Sequence, residues 1–349
     1  MSENKKNLTE LSELGEFLLI NKLTAPNITR NASTLKSIGD DCAVINYASD
    51  QKTVITNDLL VEGIHFNLQY SPLKYVGYKA VVVNLSDVYA MNAKPEQILV
   101  SVAVSNRFSV EALEELYKGI YEACEEYKVD LIGGDTTSSK LGMFLSITAI
   151  GKAPIEKIVY RNTANNKDLI CVTGDLGASY MGLQVLEREK KIAIETQTQP
   201  NWDEKDYLLQ RQLRPEARKD IIELFAEKNI IPTSMIDISD GLSSEIMHIC
   251  NLSKTGAVIY EERLPIHQQT KDAANEMNLI PTTAAMNGGE DYELLFTIPL
   301  SEHDKIKDLD QISVIGHIAQ QKEGINIIAI DGTPVPITAQ GWNALLNEE

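Results

Sequence analysis

The chain has 349 residues, 43% of them apolar, with 20 glycines, a composition that can bury sizeable cores and excludes general disorder. Domains usually run to about 100–200 residues, so the length predicts two. Subtracting 50 acidic from 32 basic residues leaves a formal charge of −18 with no Lys/Arg cluster, which argues against nucleic-acid or anionic-membrane partners and demands cations beside any phosphorylated ligand.

The opening MSENKKNLTELSELGEF is polar and lacks the apolar run of about 7–15 residues that a secretory signal needs. No run approaches the roughly 20 apolar residues of a membrane span, so the expected location is cytoplasmic. Cys42, Cys124, Cys171 and Cys250 lie far apart with no C-x-x-C among them and read as core thiols.

In chain order, the β-branched runs at 53–56, 98–104, 129–132 and 144–150 predict strands. Between the second and third, Ser109 with Glu111 and Glu114 looks like a capped helix start, and Leu113, Leu116, Tyr117, Ile120, Cys124 and Tyr127 recur at helical spacing. The breaker pair in Gly151-Lys152-Ala153-Pro154 ends the last of these strands and sets a domain boundary, giving domains 1–153 and 154–349. Beyond it, 169–173 predicts a strand, the polar stretch 190–205 a long loop or exposed helix end, and Pro215 the opening of a helix through Ile221, Ile222 and Phe225. Residues 243–254 predict a further helix terminated by Gly256. Strands follow at 257–260, 292–298, 312–318 and 325–330, the last closing on an Asp331-Gly332 turn. No repeat of 20–50 residues is visible, and both halves read as α/β.

The informative pattern is a set of aspartates attached to apolar segments: Asp40-Asp41, Asp58, Asp87, Asp135 and the Asp237-Ile238-Ser239-Asp240 pair. Singly, each reads as an N-cap or turn residue. Their recurrence points to convergence, and converging carboxylates raise one another's pKa values unless cations neutralise them. Oxygen ligands with almost no histidine nearby suit a hard ion, Mg²⁺ over Zn²⁺ or Cu²⁺, and several ions could share such a site. The common nucleotide fingerprints are missing: no G-x-x-x-x-G-K-[ST], no G-x-G-x-x-G, no protein-kinase set. Backbone N–H groups at Gly133-Gly134 or Gly174-Asp175-Leu176-Gly177 could hold phosphate, with a plain tight turn the equal alternative.

Taken together, Ile38-Gly-Asp-Asp-Cys-Ala43, Asp58-Leu-Leu-Val-Glu-Gly-Ile-His-Phe66, Asn84-Leu-Ser-Asp87, Gly133-Gly-Asp-Thr-Thr137, Asp237-Ile-Ser-Asp-Gly-Leu242 and Gly288-Gly-Glu-Asp-Tyr-Glu-Leu294 resemble the thiamine-monophosphate kinase family nearly end to end. That family lies in the superfamily of aminoimidazole ribonucleotide synthetase and selenophosphate synthetase. The resemblance implies an α/β (α+β) fold of two domains, the first dimerising through its sheet, with the active site in the cleft. It implies ATP as co-substrate, thiamine monophosphate as acceptor, a homodimer, and several Mg²⁺ ions. Motif by motif, it assigns metal binding to Asp41, Thr56, Asn57, Asp58, Asp87, Asp135, Asp237 and Asp240. ATP contacts fall to Tyr117, Gly134, Asp135, Arg161 and Ser239, and substrate contacts to His65, Glu290 and Trp342; no general base is implied. Asn57 stands where the family often has Thr or Ser, and Cys42 where Ala is frequent. The run 84–91 reads as a strand start by composition, while the family makes it a helix. Two rivals remain: a superfamily synthetase acting on a purine precursor, and a non-catalytic acidic protein that binds Mg²⁺ or Ca²⁺, against which the lack of an EF-hand loop counts.

Overall fold

The computed structural model describes residue 19, residues 22–37 and residues 44–338, so Asp41, Cys42 and Trp342 lie outside the described residues. The chain forms two compact units, Met1–Val88 with Lys94–Ile155 and Tyr89–Ala93 with Glu156–Glu349.

In the first unit, β1 (Thr34–Lys36) and β2 (Val44–Ile45) form a small antiparallel pair. The main sheet contains β3 (Gln51–Val61), β4 (Lys94–Val104), β5 (Asp130–Ser138) and β6 (Phe144–Pro154) in the order β3-β6-β4-β5. Helix α1 (Leu73–Ala90) follows β3 and helix α2 (Val110–Tyr127) follows β4, α2 being the crossover between the parallel strands β4 and β5. Ser109 caps α2 as the sequence predicts, its Oγ accepting from Ala112 N at 3.3 Å.

Two expectations are corrected here. Strand β6 does not stop at Gly151 but runs to Pro154, the last paired residue, opposite Gln51, where a missing N–H interrupts no ladder bond further along. Gly133-Gly134 is not a tight turn but the middle of β5. A Cβ on Gly134 would lie 1.7 Å from the Val100 carbonyl oxygen, so the close approach of β4 requires glycine. The 84–91 run is helical up to Ala90, and Ala80–Ser86 of α1 is buried throughout. A helix enclosed on all sides loses its polar stripe, which is why composition alone suggested a strand.

The second unit is built on a mixed seven-stranded sheet, β13-β12-β9-β11-β7-β10-β8. Its strands are β7 (Leu169–Thr173), β8 (Ser234–Asp237), β9 (Thr255–Tyr260), β10 (Leu294–Ile298), β11 (Ile312–Gln320), β12 (Ile325–Ile328) and β13 (Pro334–Pro336). The helices are α3 (Ala178–Thr196), α4 (Asp206–Leu213), α5 (Lys219–Lys228), α6 (Leu242–Ser253), α7 (Gln268–Glu276) and α8 (Pro281–Asn287). Within β7, Ile170 and Val172 join one core with α6 while Cys171 joins another with Phe225 and Phe296. Both faces are therefore covered, and β7 reads as a continuous apolar run.

Several boundaries differ from the sequence reading. Helix α5 starts at Lys219, past Pro215. Helix α6 ends on Lys254 in the left-handed region (φ 57°), and Gly256 lies inside β9. The 190–205 stretch is helical to Thr196. Strand β10 starts at Leu294 rather than 292, since Glu290 (φ 57°) and Tyr292 (φ 52°) are left-handed. Strand β12 ends at Ile328, and its turn is closed by Gly332 N donating to Ala329 O at 2.8 Å. Among the described residues no helix is long and apolar enough to cross a membrane.

Candidate active site

In the first unit three predicted ligands meet. Thr56 and Asp58 share one face of β3 by strand alternation. Asp87, on α1, accepts from Thr56 Oγ1 at 2.5 Å. Burial, and then the charge of Asp87, push the Asp58 carboxyl up to about 6. Asn84, one helical turn before Asp87, explains why strand and helix approach: its Oδ1 accepts from Asp58 N at 2.9 Å, and its Nδ2 donates to Ala80 O. Asp58 and Asp87 thus sit inside a strand and inside a helix, where the N-cap or turn reading fails.

The remaining first-unit candidates are placed apart. Asn57 points to the opposite face of β3, its Nδ2 donating to Ser146 Oγ, Ile147 O and Thr148 Oγ1, each at 2.9 Å. Asp135 is exposed on β5, at the other edge of the sheet from β3. Exposed Gly134 precedes it. His65 closes the turn after β3, its Nδ1 accepting from Val61 N at 3.1 Å. Tyr117 lies on the buried face of α2, where burial pushes its hydroxyl up to about 12.

In the second unit, Asp237 ends β8, and Ser239 and Asp240 form the turn into α6. Burial raises the Asp240 carboxyl, opposed by the charges of His248 and Arg161. Sequence reasoning missed Glu245, the acid in the first turn of α6. Its Oε1 accepts from Ser239 N at 3.2 Å and Asp240 N at 2.8 Å, so it holds the loop that carries both residues. Burial, chiefly, pushes it up to about 8. The only signal was an acid in a helix's first turn, which ordinarily reads as a cap.

Glu290 lies in a second loop fastened to the first: Glu290 N donates to Ser239 O at 2.7 Å and Tyr292 N to Ile238 O at 2.9 Å. A Cβ on Gly289 (φ 70°) would lie 2.6 Å from Ser239 O, so the pairing needs glycine there. The Gly174–Gly177 segment is corrected as an anion site. Asp291 already occupies the start of α3, accepting from Gly177 N at 2.8 Å and Ser179 N at 3.4 Å.

The donor set fits a hard divalent cation in its chemistry: Thr56, Asp58 and Asp87 offer only oxygen, and the Asp58–Asp87 repulsion is of the kind such an ion relieves. Among the described residues no group of three or more His, Cys, Asp or Glu side chains is arranged to hold a metal ion.

Residues 39–153 match the family described as AIR synthase related protein, N-terminal domain. The chain is 32% identical to the thiamine-monophosphate kinase of Bacillus subtilis over 95% of this chain and 99% of that one. It is 36% identical to that of Buchnera aphidicola from Schizaphis graminum, covering 90% and 94% of the two chains. A solved structure of AaThiL complexed with AMPPCP and TMP is 30% identical, with a TM-score of 0.74, covering 97% of this chain and all of that one. The chain belongs to the thiamine-monophosphate kinase family. It is accordingly an enzyme of the phosphotransferase class, and the α/β two-sheet architecture agrees with that membership.

In this kinase-family chain the Glu290 loop also carries a group that titrates near neutrality. Complete burial, opposed by Arg211, pushes Asp291 up to about 7, against about 4 in an unfolded chain. Between those values the folded state binds more protons than the unfolded one, so stability falls as pH rises. Urea unfolding of wild type and Asp291→Asn from pH 4 to 8 should show wild type losing ground to the variant up to about pH 7. A pH-independent difference refutes the assignment.

Proposed function

We propose that the protein transfers the γ-phosphoryl group of ATP directly to the phosphate of thiamine monophosphate, yielding thiamine diphosphate and ADP, in a Mg²⁺-dependent reaction. The observation that carries this reading is the Thr56–Asp58–Asp87 cluster, which brings two repelling carboxylates together in a chain alike over its length to AaThiL complexed with AMPPCP and TMP. Thr56, Asp58 and Asp87 would hold Mg²⁺, with Asp41, Asp135, Asp237 and Asp240 as further proposed ligands; Asn57, turned to the opposite face of β3 and bonded there to β6, is left out of the set. When bound, such ions screen phosphate charge and stabilise the leaving β-phosphate.

The protein's own task is alignment. Arg161 and Ser239 are proposed to contact ATP phosphates, a guanidinium being well matched to phosphate oxygens, with Tyr117, Gly134 and Asp135 completing the nucleotide site. Glu290 is the proposed counter-charge of the thiazolium, Trp342 the ring stacked on it, and His65 a further contact. The acceptor phosphate has a second pKa of about 6 and is mostly dianionic at neutral pH, so no general base is required. A homodimer through the open sheet face of the first unit is part of the proposal; Ile55 and Leu59 on β3, 67% and 52% exposed, support it.

Purified protein incubated with ATP, Mg²⁺ and thiamine monophosphate should form thiamine diphosphate and ADP in equal amounts. ADP release stimulated instead by a purine precursor would assign the chain to a superfamily synthetase reaction, and no metal-dependent ATP turnover would sink both.

A further inference from the structure

The Glu290 carboxylate is held from a direction no motif signals. Its backbone is fixed by the pairing to Ser239, but its side chain is bound by Gln212 on α4, whose Nε2 donates to Glu290 Oε2 at 2.8 Å. Gln212 is 5% exposed, and its own orientation is set in turn: Ser179 Oγ donates to Gln212 Oε1 at 2.5 Å. That bond distinguishes the two ends of the amide, committing the oxygen to Ser179 and the NH₂ to Glu290. The neighbouring Arg211 anchors the same stretch of α4, its Nη1 meeting Glu293 Oε1 at 2.9 Å and its Nη2 donating to Asp291 O at 3.3 Å. The last turn of α4 and the Glu290 loop therefore form one braced piece.

We infer that Gln212, oriented by Ser179, is a positioning residue that fixes the Glu290 carboxylate for a cationic heteroaromatic phosphate ester. The inference rests on the proposed role of Glu290 toward thiamine monophosphate. A carboxylate on a flexible side chain must otherwise be ordered when ligand arrives, and a bond from a buried amide removes that cost beforehand. Gln212 itself touches no ligand. Its loss should therefore weaken recognition of the ligand's positive charge while leaving ATP recognition alone.

The test uses the full-length protein and two ligands: thiamine monophosphate and its neutral isostere in which a thiophene replaces the thiazolium. Dissociation constants are measured by calorimetry, and the KM for ATP in parallel. Wild type should prefer the cationic ligand, and Glu290→Gln should abolish the preference. Gln212→Leu should cut it about tenfold, the scale of one hydrogen bond to a charged group, with the ATP KM within about twofold of wild type. Ser179→Ala, which frees the amide to turn, should give a smaller loss of about threefold; if Gln212→Leu does not fold, this variant decides alone. An intact preference in Glu290→Gln overturns the substrate role of Glu290. A lost preference in Glu290→Gln with an intact one in Gln212→Leu, or in Ser179→Ala where that variant decides, overturns the positioning role. Equal weakening of both ligands and of ATP would mark Gln212 as merely structural.

Discussion

Replacing Asp87 by Asn should lower kcat by about 10²–10³-fold at saturating Mg²⁺, the scale of several kcal/mol of lost charge stabilisation, while the protein stays folded. The substitution keeps the shape of the side chain and an oxygen for Thr56 Oγ1, so the contact between β3 and α1 survives. What it removes is the negative charge that, after burial, helps to push Asp58 up to about 6. Asp58 should move back toward its ordinary range, and stability should hold or rise at neutral pH. Activity and stability then change in opposite senses, as expected of carboxylates gathered for a cation rather than for the fold. Steady-state kinetics and urea unfolding on one preparation check both halves. Near-wild-type turnover would remove Asp87 from the metal site.

The largest stability effect should come from Glu293, which no functional role requires. Its carboxylate is 2% exposed and lies between two guanidinium groups, Oε1 at 2.9 Å from Arg211 Nη1 and Oε2 at 2.5 Å from Arg218 Nη1, with Thr173 Oγ1 donating at 2.6 Å. Glu293→Ala leaves two largely buried cations without their shared partner and should cost about 3–5 kcal/mol. Glu293→Gln keeps hydrogen-bonding capacity and should cost less. Because the Glu293 carbonyl also accepts from Ile238 N at 2.7 Å, the alanine variant should loosen the Asp237–Asp240 loop as well. Faster amide exchange at Ile238 would report it. A loss below about 1 kcal/mol would mean that water reaches the arginines and that the pair counts only as a surface ion pair.

Much of the fold was legible because its signals are local. The cap at Ser109 and the helical spacing to Tyr127 lie within one element, and 169–173 is bounded by its own neighbours. The site was legible as motifs, because short runs of acid, glycine and small residues carry the family likeness whatever they fold into. Their geometry was not. Thr56 and Asp58 were read at the end of a strand that in fact surrounds them, and Asn57 was grouped with them although alternation turns it to the other face.

By itself the sequence determined the α/β character of both halves, the net charge of −18, the recurrence of aspartates beside apolar runs and the family to which those motifs belong. Only the tertiary structure decided that 84–90 is helical, that β4 forces the glycine at 134, that Asp291 closes the start of α3, and that Glu245 and Gln212 brace the two loops. The reason is the range of the forces involved. Periodicity and capping act over a few residues and leave their mark in the order of the amino acids. Burial on every side erases that periodicity, and a bond between residues 78 positions apart, as between Gln212 and Glu290, leaves no trace in either neighbourhood.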